Sequence, residues 1–120
     1  MKHIPKIEIN IKSYKDMRYE TEGDYYFKGN KLVLDISKMD NPLTELMIII
    51  HELWEWYRIT QKGIKIKDID KFDKTCGLED PGLSLFAPYH IEHLESIELE
   101  KLMCKMARIK YSDYYNSEHL

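Results

Sequence analysis

Between Asn41-Pro42 and Gly63 the chain runs without a single helix breaker, and this stretch constrains the fold more than any other. Asparagine is a good N-cap, proline suits the first helical position and glycine ends helices, so the spacing predicts a helix over Leu43 to Lys62. At about 100° per residue, apolar side chains occupy both sides of it. Met47 and Ile48 lie on one arc, while Leu46, Ile49, Ile50, Leu53, Trp56 and Tyr57 lie on the other. A helix apolar nearly all round is expected to be buried nearly all round. Yet His51 and Glu55, one turn apart, share the arc of Thr44, Met47, Ile48 and Arg58. A buried carboxylate there needs a partner.

The same anomaly recurs later. Pro88 opens a second long helix, expected from Tyr89 to about Lys110, in which His93 and Glu100 stand two turns apart with Ser96, Ile97, Cys104 and Ala107 around them. One His and one Glu on each of two helices, both pairs facing inward, supply up to four nitrogen and oxygen ligands. His51, Glu55, His93 and Glu100 are therefore the candidate ligands of a divalent metal. Zinc is the first choice, with manganese or iron next, whereas calcium would want an all-oxygen shell. The plain alternative for His51 is a core histidine bonded to a backbone carbonyl, and for the four together a buried His–Glu network joining two helices. Glu52 lies about 100° round the helix from His51. Its plain reading is a solvated residue, and its functional one a catalytic base. His90 forms His90-x-x-His93 on a different arc and is a reserve ligand. Asp73 and Asp80 could add carboxylates, although acidic loop residues usually cap helices or form turns. The remaining charged residues between Glu92 and Lys105 read as an exposed face with i,i+4 pairs.

The rest of the chain supplies a sheet. Ile7, Ile9 and Ile11 alternate with polar residues between Lys6 and Lys12, the period of a half-buried strand. Tyr25 to Lys28 and Lys31 to Ile36 flank Gly29-Asn30, a two-residue connection suited to a hairpin. A short helix is expected near Asp68, a loop from Thr75 to Ala87, and a frayed tail over residues 111–120, where Tyr111, Tyr114 and Tyr115 could still pack back. Tyr14, Tyr19, Tyr25 and Tyr26 read as amphipathic packing residues or an aromatic binding face. Strands first and helices later give an α+β fold, expected as a small antiparallel sheet (N-terminal strand plus hairpin) packed against two long helices and a short one.

Composition narrows the function classes. With 120 residues, 43% of them hydrophobic, one domain over 1–120 is expected. A net charge of −3 gives no basic field for a phosphate backbone, so nucleic acid is not an expected partner. The longest apolar run, Leu46 to Ile50, is far short of the roughly 20 residues that cross a bilayer, and Met1 to Pro5 opens no signal-peptide pattern, so a cytoplasmic protein without a membrane partner is expected. Cys76 and Cys104 read as reduced thiols.

The stretch His51-Glu52-Leu53-Trp54-Glu55 resembles the metal-binding helix of zincin metallopeptidases, whose motif is H-E-x-x-H, with Glu55 in place of the second histidine. The resemblance implies His51 and Glu55 as ligands and Glu52 as general base toward water. The preceding hairpin is similar to the strand before that helix in small metallopeptidases related to phage-repressor-cleaving enzymes. There a third ligand comes from a later helix, a place His93 or Glu100 would fill. The wider pattern, from His51-Glu52-Leu53 through Phe72-Asp73, Asp80-Pro81-Gly82 and Ala87-Pro88-Tyr89 to Glu92-His93, resembles a family of small uncharacterised phage and prophage proteins. It implies a host-cytoplasm setting. Two functions follow as expectations: a metal-dependent hydrolase of zincin-like type acting on a peptide, amide or phosphoester, or a non-enzymatic phage protein that binds or inhibits a host protein with its His/Glu cluster structural.

Overall fold

In the computed structural model, which describes residues 2–118, three strands precede four helices. The strands are β1 (Ile7–Lys12), β2 (Gly23–Lys28) and β3 (Lys31–Ser37). The helices are α1 (Pro42–Lys62), α2 (Ile66–Thr75), α3 (His90–Ala107) and α4 (Tyr111–Glu118). This is the expected α+β arrangement. Gly29, at φ 62°, turns β2 into β3 as the hairpin requires.

The sheet is mixed rather than antiparallel. Its order is β1-β3-β2, with β3 antiparallel to β2 but parallel to β1. Side-chain alternation fixes which face of a strand is buried and is silent about strand direction. Residues 13–22 carry the chain from β1 to the far edge, so the hairpin return lays β3 alongside β1 in the same direction. Leu32, Leu34 and Ile36 of β3 are fully buried and meet Ile48, Trp56 and Ile59 of α1. On the opposite face Asp35 accepts hydrogen bonds from Asn10 (3.0 Å), Lys12 (3.0 Å) and Tyr26 (2.8 Å). Burial alone would raise its pKa, but these donors together hold it below the usual value.

α1 begins and ends as the sequence requires: Asn41 Oδ1 accepts from the Thr44 amide at 2.9 Å, and Gly63 closes the helix at φ 73°. It is not buried all round, because the sheet and α3 cover one side and leave Leu46 and Trp54 exposed. α3 stops at Ala107, short of Lys110, because Arg108 adopts a left-handed conformation (φ 60°) and reverses the chain. After that reversal α4 folds back, and Tyr114 is buried against Met47 and Cys104. Residues 119–120 of the expected tail lie outside the described residues. Nor is the charged face of α3 wholly solvated. Glu92 is buried beside Lys62 at 2.6 Å, and Glu95 pairs with Arg58 at 2.9 Å, so both carboxylates reach across to α1 instead of along their own helix.

Candidate metal centre

Where α1 crosses α3, the small Ser96 lets the helices approach, and its hydroxyl donates to the His51 carbonyl at 2.8 Å. The approach brings two imidazoles and a carboxylate to one point. His51 Nε2 lies 3.1 Å from His93 Nδ1 and 3.3 Å from Glu55 Oε2, and Glu55 Oε2 lies 3.1 Å from His93 Nδ1. His51, Glu55 and His93 form the one group of potential metal-binding side chains of this kind among the described residues.

Each of these groups is held from behind. Glu100 contacts His51 Nδ1, on the far side of the ring from the cluster. It stands outside the group of three, behind the His51 ring. Asp80 Oδ1 stands 3.2 Å from His93 Nε2, and Tyr25 donates its hydroxyl to Glu55 Oε1 at 2.8 Å. If the outer nitrogen of each ring carries its proton toward its carboxylate, the inner nitrogens present lone pairs to each other and to Glu55 Oε2. In that state three acceptors converge on one point, which a proton or a metal cation can occupy. Nitrogen and carboxylate donors in this number fit zinc, manganese or iron, so the residues present suit the expected metal.

The proton affinities report the same demand. Burial pushes the His51 imidazole down, but Glu100 and Glu55 outweigh it and leave its pKa well above the ordinary value. Burial likewise lowers His93, yet Asp80 and Glu55 carry it up to about 9. Burial raises Glu55, while the two histidines pull it down to about 2. Without a metal, protons supply the positive charge the cluster requires; with one, the metal must displace them.

Glu52 departs from its plain reading as a solvated residue. It is only 9% exposed and faces a cavity of about 350 Å³ that the three clustered side chains also line. Burial first, and the charge of Glu55 next, raise its pKa well above normal. Gly23 makes room for it: a Cβ there would stand 2.8 Å from Glu52 Cγ. Gly82 does the same for His93, with a Cβ position 2.6 Å from Cδ2 of the ring. His90 does not join the cluster; its Nδ1 bonds the Gly82 carbonyl at 2.8 Å and pins the loop that presents Asp80. Asp73 also stays outside, accepting from Tyr89 at 2.6 Å and Tyr19 at 3.1 Å on the cavity wall. Burial pushes its pKa up to about 6.

Nothing in the sequence tied Tyr25, Gly23 or Gly82 to the His/Glu cluster. A strand tyrosine is usually a packing residue, and a glycine in Asp80-Pro81-Gly82 is usually a turn. Asp80 was the exception, since it lies close to a recognised histidine helix. Compared with known proteins, the chain matches no family model, no curated protein and no solved structure.

Proposed function

We propose that His51, Glu55 and His93 hold one divalent metal ion, zinc before manganese or iron, in a hydrolytic centre of zincin-like type. One observation carries this reading: three acceptor atoms lie within 3.3 Å of one another, with outer partners that direct them inward. A bound metal would supply Lewis acidity and make water a stronger acid. The chain's own residues account for the rest. Glu100 and Asp80 fix the ring orientations, Tyr25 fixes the carboxylate of Glu55, and Glu52 offers a carboxyl whose raised pKa suits it to take and hold a proton at neutral pH.

Metal analysis of protein purified without chelator tests the reading. About one equivalent of zinc, manganese or iron is expected, and His51→Ala should abolish it. A metal-free protein with unchanged stability in chelator would overturn it. Glu52→Gln separates binding from catalysis: the metal should stay, while turnover of a fluorogenic peptide library should be lost.

A second reading, a phage protein that engages a host protein, draws on Leu85 and Phe86, which are 82% and 88% exposed on the loop before α3. Under it, Leu85→Ser with Phe86→Ser should abolish retention of a stoichiometric partner from host lysate and leave metal content unchanged.

A further inference from the structure

The cavity in front of the cluster carries a charge that restricts what can enter it. On its wall, Asp24 and Asp70 are answered by Arg18 at 2.7 and 3.2 Å. Lys101 is the one lysine or arginine among the described lining residues, and Glu98 stands 3.4 Å from its ammonium. Negative charge is left over at the mouth. Glu20 and Glu79 are exposed lining residues there. Tyr14 is a half-exposed ring: burial first, then the charges of Glu22, Glu20 and Glu79, raise its pKa.

A rim of carboxylates would mean little without a group inside that needs a ligand. Glu52 is that group. It is about nine-tenths buried, faces the same cavity and makes no hydrogen bond among the described residues. A carboxyl that opens only onto the cavity offers its oxygens to an incoming N–H or O–H.

We propose that the cavity admits a positively charged substrate, a polypeptide segment whose lysine or arginine side chain sits between Glu20 and Glu79. Phosphoesters and acidic peptides are turned away. The proposal narrows the substrate class of the hydrolase reading and rests on that reading for the chemistry, though not for the binding. A guanidinium or ammonium gains charge-assisted hydrogen bonds from two carboxylates. An anion approaching the same mouth meets uncompensated like charge. Leu83 and Leu94, 46% and 41% exposed on the same wall, give apolar surface that residues flanking the basic one can cover, which favours a peptide over a free polyamine.

The test is an NMR titration of the zinc-loaded full chain with four probes: a capped Ala-Leu-Arg-Leu-Ala peptide, its counterpart with glutamate for arginine, spermidine and inorganic phosphate. The arginine peptide should bind about tenfold or more tighter than the glutamate peptide, and weaken with added salt. Glu20→Gln with Glu79→Gln should reduce its affinity about tenfold, with zinc content unchanged by separate metal analysis. Both sites are exposed, so the fold should survive. Equal affinity for the two peptides, or tighter binding of phosphate, would overturn the proposal. Spermidine binding as tightly as the arginine peptide would overturn the polypeptide assignment. A protein that prefers the arginine peptide yet holds no zinc keeps this inference and removes the metal centre, whereas zinc without the preference does the reverse.

Discussion

Along one helix, α1, two buried layers lie side by side and obey different rules. Ile48, Trp56 and Ile59 meet Leu32, Leu34 and Ile36 of β3, a layer that is complete as soon as its volume is filled. His51, Glu52 and Glu55 meet His93 and Glu100 of α3, a polar layer whose inner nitrogen and carboxylate atoms, in the reading proposed above, hold a metal. The first layer should therefore be indifferent to metal, and the second should depend on it. Function is expected in the second.

Metal removal should open the largest gap between the two. Zinc at about a thousand times its dissociation constant should stabilise the fold by about 4 kcal/mol, read from urea unfolding with and without chelator, and His51→Ala should erase the difference. Leu34→Ala comes next. Its side chain is fully buried, so the loss should be about 3 kcal/mol, and it should be the same in zinc-loaded and metal-free protein. A zinc-dependent loss would mean that the layers are coupled. Glu100→Gln should leave the fold intact and reduce zinc affinity roughly 10- to 100-fold, the usual cost of an outer carboxylate, as measured by competition with a chromophoric chelator. Tyr25→Phe should have the smallest effect, about 1 kcal/mol of stability for one hydrogen bond and a severalfold weaker zinc affinity. An effect on stability alone would place Tyr25 in the first layer, not behind Glu55.

The difference between the layers also decides what could be read in the sequence. Asn41-Pro42 and Gly63 bracket α1 by local backbone chemistry, and Gly29-Asn30 marks the hairpin in the same way. His51, Glu55, His93 and Glu100 stood out because helical periodicity placed charge on apolar arcs. Direction and contact were not legible. Nothing in Ile7, Ile9 and Ile11 distinguishes a parallel neighbour from an antiparallel one, and Arg108 gives no sign that it will take the left-handed turn that brings Tyr114 back. Glu92 and Glu95 looked like surface residues because their partners, Lys62 and Arg58, belong to another helix. Glu100 was equally open as ligand or orienting group. Which side of the His51 ring it touches depends on how α1 and α3 cross, and no spacing within one helix records that.

The most direct test of the centre is X-ray absorption at the zinc edge of protein loaded with one equivalent of zinc. A shell of nitrogen and oxygen donors only is expected, with two imidazoles; His51→Ala should retain no zinc after removal of unbound metal, and any zinc held by His93→Ala should show one imidazole fewer. A sulfur ligand from Cys76 or Cys104, or a shell unchanged in both variants, would contradict this assignment.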